Sequence, residues 1–370
     1  MAASLIRVVD SRGMDITPSA EETSHSQILA NKIKAEILAN NGQISFAKYM
    51  EMALYTPGLG YYAAGAAKFG KQGDFVTAPE ISPLFGATIV QTILPALSHL
   101  QQESLPLQIL EFGAGSGALA ESVLDALEKL DFKIDSYNIL DLSADLIERQ
   151  KQRLSQRAEK INWLSELPET KSEQNATEQF VFCDGVKVEN DLLPTQLGKE
   201  IFAEGYTTEI HPNGNAWINS LAKILKKGLL LTFDYGFPAH EYYHSQRGQG
   251  TVMGHYRHHA IQDPFFYPGL CDLTAHVEWS TITQSAIDHG FDFLGYTSQA
   301  SYLLNAGIGE LALSYADPRD AVSFMPISNG LQKLLSEAEM GELFKALCLG
   351  KDMPFSEGDL PGFQSKPRAL

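Results

Sequence analysis

Cysteine is scarce in this chain of 370 residues. There are three, Cys183, Cys271 and Cys348, far apart and odd in number. That excludes a disulfide framework. No Cys or His spacing forms a metal motif, so no resident metal is expected, and a reducing, cytoplasmic compartment is the simpler setting. Long hydrophobic runs are missing too: nowhere do about 18 apolar residues follow one another, so no membrane-spanning helix is expected. The stretch MAASLIRVVDSRGMD has an apolar patch that Arg7, Asp10 and Arg12 interrupt, too short and too broken for a secretory signal. Positive charge is in deficit, with 28 Lys and Arg against 45 Asp and Glu and a net charge of −17. Such a chain repels phosphate backbones, which argues against nucleic acid, whereas a basic protein surface would be attracted. No internal repeat is visible, and no heptad or apolar stripe fixes the oligomeric state; a homodimer is one option.

What is present is ordinary for a folded protein: 44% hydrophobic and 20% charged residues. Residues 1–25 read as a polar, frayed start. Residues 26–104 read as a helical region: Ile28, Leu29, Ile33, Ile37 and Leu38 fall at helical spacing, Asn40-Asn41-Gly42 stops that helix, and Ser45 caps a second one from Phe46. A breaker-rich loop, TPGLGYYAAG, follows. From residue 105 the pattern becomes strand, turn, helix. LPLQILEFGAGSGALAESVLDAL and YNILDLSADLIERQKQRL each follow it, KINWL (160–164) is a third short strand, and KGLLLTFDYG (227–236) is a buried strand ending in an acid. Strands alternating with helices predict an α/β fold with a covered parallel sheet, its core over 105–236. Residues 237–370 supply the rest: a His-, Tyr- and Gly-rich stretch to 275, read as a connection without regular structure, then a tail of helical patterning over 281–350.

The glycine turn carries the first chemistry. In Glu111-Phe112-Gly113-Ala114-Gly115-Ser116-Gly117-Ala118, glycines between strand and helix let a ligand approach bare backbone. Gly113, Gly115 and Ala118 satisfy the dinucleotide pattern, and Glu111, Gly113, Gly115 and Gly117 satisfy that of an S-adenosylmethionine fold. Asp141, ending the next strand, is placed to accept ribose hydroxyls in either case. Glu111 and Gly117 separate the two, since a carboxylate there suits a cationic sulfonium and repels a pyrophosphate.

A second segment is double-valued. In GDFVTAPEISPLFG (73–86), Thr77-Ala78-Pro79-Glu80 fits a capping box, with Pro79 in a first turn whose N–H groups lack partners anyway. A helix would then run on through the apolar stretch to Leu100.

Over most of its length, residues 28–352, the chain resembles the MidA family of class I S-adenosylmethionine-dependent methyltransferases. ISFAKYMEMALYTPGLGYY, GDFVTAPEIS, LEFGAGSGALA, YNILDLSADLIERQ, FDYG, GTVMGHYRHH, GLCDLTAHVEW, SQASYLLNAGI and EMGELFKALCLGK match its motifs in order. The resemblance implies a Rossmann-like sheet with a helical N-terminal region and a smaller inserted lobe. It implies S-adenosyl-L-methionine held by Glu111, Gly113, Ala114, Gly115, Gly117, Asp141 and Leu142, with Thr77 and Pro79 beside the pocket. Mitochondrial members methylate an arginine of a complex I subunit, so an arginine-containing protein is the implied partner.

Arginine methylation needs carboxylates to hold the guanidinium fork. The family's Asn-Glu, then Asp-Ala-Leu-Pro, segment is not found. In its place stands FVFCDGVKVENDLLP (180–194), read either as a diverged fourth strand presenting Asp184 or as an edge hairpin turning at Asp184-Gly185. The carboxylates left for the acceptor are Asp74, Glu80, Asp184 and Asp234. His258 and His276 match family positions where a histidine could orient substrate or take a proton. Without the missing segment, a cofactor-binding assembly protein that does not turn over is the alternative. The aromatics of 235–267 fit core or a pocket for a cation.

Overall fold

The computed structural model describes residues 16–64, 77–164, 204–257 and 259–364. The chain opens with α1 (Ala20–Ala39) and α2 (Phe46–Tyr55). Ser19 and Glu22 form a capping box on α1, so the first helix starts inside the stretch read as frayed. Ser45 caps α2 as expected, its hydroxyl accepting from Lys48 N at 3.1 Å.

The expected capping box at 77–80 is not formed. Thr77 precedes a single-turn α3 (Ala78–Ile81), and its side chain makes no cap bond. The chain is extended at Ser82 before α4 (Leu84–Gln102) starts, so the apolar run is a separate helix. Pro83 explains the break: the ring disfavours helical backbone in the residue before it.

Next come β1 (Gln108–Phe112), α5 (Ala118–Lys129), β2 (Ser136–Leu140), α6 (Ala144–Arg153) and β3 (Ile161–Leu164), the predicted alternation. The three strands pair in parallel, order β1-β2-β3, with Phe112 opposite Leu140 and Leu140 opposite Leu164. The FVFCDGVKVENDLLP segment, with Asp184, lies outside the described residues.

After α7 (Pro212–Ile224) the chain enters β4 (Gly228–Phe237), the predicted buried strand, and α8 (Ala239–Tyr242). The stretch read as irregular instead holds β5 (Met253–Tyr256), β6 (His259–Ile261) and β7 (Asp272–Thr274), a small antiparallel sheet of order β6-β5-β7. The short β8 (Val277–Glu278) leads into α9 (Trp279–Asp288), β9 (Asp292–Ser298), α10 (Gln299–Asn305), α11 (Ile308–Tyr315), α12 (Ala321–Leu335) and β10 (Phe344–Lys351). The tail is therefore not all helical. β9 and β10 are buried strands of a sheet ordered β8-β4-β10-β9, with β10 antiparallel to both neighbours. Strands covered on both faces lack polar alternation, so periodicity did not separate them from helix.

Helix α4 joins the two larger sheets. Leu84, Phe85 and Ile89 pack with Leu294, Tyr302 and Leu334, while Ala87, Val90 and Leu97 pack with Val123, Leu127, Tyr137 and Ile139. Each such Leu, Ile, Val or Phe side chain taken from water contributes about 1.5–3 kcal/mol. Cys348 sits fully inside the first group, its thiol pushed up to about 12 by burial, so it packs as a small apolar residue.

The small lobe is assembled from distant segments. Leu29, Ile33, Tyr49 and Leu54 of the N-terminal helices pack on Leu273 of β7. The Tyr49 hydroxyl donates to the Pro264 carbonyl at 2.7 Å, and Arg257 pairs with the buried Glu22 at 2.9 Å. Most of the aromatics of 235–267 are packed: Tyr242, Tyr243 and Tyr256 are buried. No helix among the described residues is long and apolar enough to cross a membrane.

Candidate active site

β1 delivers Glu111 to the glycine turn, and α5 begins directly behind it. Gly113, Gly115 and Gly117 have φ of 62°, 55° and 85°, a region that side chains with a Cβ avoid. They face different things. Among the described residues, a Cβ on Gly113 or Gly115 would meet nothing within 4 Å, so the bare backbone there borders open space. A Cβ on Gly117 would stand 3.2 Å from Leu154 Cδ1, so this glycine admits the end of α6. Ala114, between the first two, is buried.

Asp141, at the end of β2, is buried but not exhausted as an acceptor. Oδ1 takes the Ser143 N–H at 3.0 Å and Oδ2 takes Gln150 Nε2 at 2.8 Å. A carboxylate has about four acceptor sites, so room remains for a ligand's hydroxyls. Leu142 follows it and is 74% exposed, leaving an apolar side chain uncovered beside the acid.

Glu111 shares this corner. Burial pushes its carboxyl up to about 7; the Tyr137 hydroxyl, donating at 2.7 Å, opposes the shift, and the negative Asp141 adds to it. A carboxylate held at such cost is one that a cation would relieve. Two acids within electrostatic reach, next to bare glycine backbone, suit a ligand that is positively charged and carries hydroxyls. A pyrophosphate would be repelled. The residues present thus fit S-adenosylmethionine and not a dinucleotide.

The Thr77–Glu80 segment reaches this corner through Glu80. Its carboxylate accepts from Ser116 of the glycine turn and, at 3.2 Å, from Arg153 of α6. Arg153 also donates to Ser116 Oγ at 2.6 Å and to Glu121 at 2.7 Å. Glu80 therefore tethers α3 to the turn. Thr77 is exposed and Pro79 half-buried at the start of α3.

A second group of polar residues gathers at the end of β4. Asp234 accepts from its neighbour's N–H, Tyr235 N, at 2.8 Å, and burial pushes its carboxyl up to about 6. The His276 ring packs against Tyr235 at 5.2 Å and Phe237 at 5.1 Å, with Arg247 stacked on Phe237 at 3.9 Å. Burial, then Arg247, lowers the His276 pKa, against an opposing pull from Glu209. Its Nδ1 is buried and finds no hydrogen-bond partner among the described residues.

Asp272 of β7 links the two groups. It accepts from the Tyr62 hydroxyl at 2.9 Å, and the Ser143 hydroxyl beside Asp141 donates to the Tyr62 carbonyl at 2.8 Å. Burial raises the Tyr55 pKa, with Asp272 and then Asp141 adding to it. Burial likewise pushes Tyr235 up to about 12, with Asp234 and Asp272 both contributing. The structure thus brings together Glu111, the glycines, Asp141, Leu142 and Glu80, while Asp234 and His276 lie at the end of β4, where Tyr235 feels the charge of Asp272. Asp74 and His258 lie outside the described residues. Asp272, Tyr62, Gln150 and Arg153 were not singled out in the sequence. The first three lie in matching motifs, yet nothing local marks a residue whose importance rests on long-range contacts.

A family model for S-adenosyl-L-methionine-dependent methyltransferases matches residues 88–184 and 170–297. The Drosophila melanogaster protein arginine methyltransferase NDUFAF7 homolog, mitochondrial, is 26% identical over 395 residues, covering 90% of this chain and 86% of that protein. The Danio rerio protein arginine methyltransferase NDUFAF7, mitochondrial, is 25% identical over 385 residues, covering 88% of each. A Burkholderia thailandensis crystal structure bound to S-adenosyl-homocysteine is 40% identical, with a TM-score of 0.84, covering 95% of this chain and 98% of that one.

Proposed function

This chain belongs to the MidA-like family of S-adenosylmethionine-dependent methyltransferases, and from that premise we propose that the methyl group it transfers goes to an arginine side chain of a partner protein. The observation that carries the reading is the name shared by relatives matched along nearly their whole length, protein arginine methyltransferase. The site's chemistry supports it. When bound, S-adenosylmethionine supplies an activated methyl group, so the protein's task is mainly to position the acceptor.

A guanidinium must be held by its N–H groups and must give up a proton, and both needs have candidates. Asp234 has acceptor capacity left over for the N–H groups of a planar cation. Burial and Arg247 favour the neutral imidazole of His276, the form that can accept a proton. Asp272 holds the Tyr62 hydroxyl, and the Tyr62 carbonyl in turn holds Ser143 beside Asp141. The net charge of −17 favours approach of a basic protein.

The test is incubation with methyl-tritiated S-adenosylmethionine and a cell extract, then acid hydrolysis of the labelled protein. Label should appear as methylarginine and be lost in Asp234→Asn, which should still bind S-adenosylhomocysteine. Label in another amino acid or in a small molecule would sink the arginine reading. Intact S-adenosylhomocysteine binding with no label in any fraction would favour an assembly protein without turnover.

A further inference from the structure

The polar face of α6 hides one residue. Gln150 is the helix's buried side chain, at 0% exposure, between the exposed Arg149 and Lys151. A primary amide taken out of water is costly unless its hydrogen-bonding groups are met. Here all are engaged. Nε2 donates to the Gly115 carbonyl at 3.0 Å and to Asp141 Oδ2 at 2.8 Å, and Oε1 accepts from Trp163 Nε1 of β3 at 3.2 Å. An unbranched apolar side chain would fill the same place with no desolvation cost. What the amide adds is therefore the connection it makes.

That connection joins the two halves of the cofactor site. Gly115 is where the turn's backbone borders open space, and Asp141 is the acid with spare acceptor capacity. Gly115 has no side chain with which to fix its own position, and a carboxylate with a single partner can swing about its χ2. We infer that Gln150 is a positioning residue for the cofactor: its amide sets the spacing between the glycine turn and the ribose-binding carboxylate, and Trp163 fixes the amide's orientation. The donated proton occupies the inner side of Oδ2, leaving the outer lone pairs of Asp141 for ligand hydroxyls. The inference does not depend on the identity of the methyl acceptor.

The experiment is calorimetric titration with S-adenosylhomocysteine of wild type, Gln150→Met and Gln150→Glu, with chemical unfolding of each protein alongside. Gln150→Met keeps length and flexibility but donates nothing. Losing two donated bonds, one of them to a carboxylate, is expected to weaken binding by about 10- to 100-fold. Gln150→Glu keeps the acceptor for Trp163 and sets a second carboxylate against Asp141. Its deficit against wild type should be large at pH 8 and narrow towards pH 6, where protonation restores one donor. The Trp163 indole N–H resonance should move in Gln150→Met and stay close to its place in Gln150→Glu. A purely structural role gives a different result: lower stability with S-adenosylhomocysteine affinity within about threefold of wild type in the folded variant. That outcome overturns the inference. If Gln150→Met does not fold, the isosteric Gln150→Glu decides, and wild-type affinity at pH 8 overturns it equally.

Discussion

Replacing Glu111 by glutamine should make the ligand-free protein more stable and the cofactor weaker. The folded-state pKa of Glu111 is pushed up to about 7 from an ordinary 4.5, first by burial and then by Asp141. The gap is equivalent to about 3 kcal/mol at 1.36 kcal/mol per unit. The folded pKa is raised, so this contribution to stability is intact below 4.5, shrinks as pH rises through 7, and is wholly lost above that. The substituted amide cannot ionise, and its oxygen can still accept from Tyr137. Urea unfolding should therefore find Glu111→Gln more stable than wild type by about 3 kcal/mol at about pH 8.5 and by about 1 kcal/mol at about pH 5. Ligand binding should show the mirror image. If the ionised carboxylate faces the sulfonium, wild type binds S-adenosylmethionine about tenfold more tightly at pH 8 than at pH 6, following the ionised fraction of a group with that pKa. Glu111→Gln should bind more weakly at pH 8 and show none of this dependence. A variant no more stable than wild type at about pH 8.5 would show that burial of Glu111 is not costly. Wild-type affinity that is flat with pH would show that its charge does not meet the ligand.

Two glycines in the same turn should respond differently. Gly115→Val places a branched side chain at φ 55° in open space, so the fold should lose about 1–2 kcal/mol to backbone strain while S-adenosylhomocysteine binding disappears. Gly117→Ala meets Leu154 instead, and unfolding measurements should register it more than calorimetry does. Arg153→Ala removes bonds that are a third exposed, so stability should fall by less than about 1 kcal/mol. S-adenosylhomocysteine should nevertheless leave several-fold faster in stopped-flow displacement, because Glu80 and Ser116 lose their common partner. Unchanged release would show that this tether does not govern the turn. A Glu80→Gln variant that releases ligand normally but methylates poorly would move Glu80 to the acceptor side.

Much of the cofactor half was legible without coordinates. Glycines at 113, 115 and 117 after an apolar strand, and an acid ending the next strand, are dictated locally. Positive φ excludes most side chains, and a parallel strand followed by a helix presents its carboxyl end to a ligand. The Ser45 cap and the Asn40–Gly42 stop are equally local, and both stand in the structure. The segment at 77–80 shows where local signals fail. Thr-Ala-Pro-Glu satisfies the capping pattern, but Glu80 finds Ser116 and Arg153, 36 and 73 residues away, and no pattern within four residues can register that competition.

The helical tail failed for a related reason. Six consecutive residues of β10, Lys345 to Gly350, are buried, and a strand wet on neither face carries no alternation to read. The sequence alone determined the turn, its acid, the stop after α1, the Ser45 cap and, through an extended resemblance, the family. The tertiary structure alone decided that α1 and α2 pack on β7, more than 200 residues later, that Tyr62 ties Asp272 to the Asp141 corner, and that Gln150 ties Gly115 to Asp141. The dividing line is physical. Backbone conformation is chosen within a few residues, whereas a buried polar group takes its meaning from whichever partners the folded chain brings within about 3 Å of it.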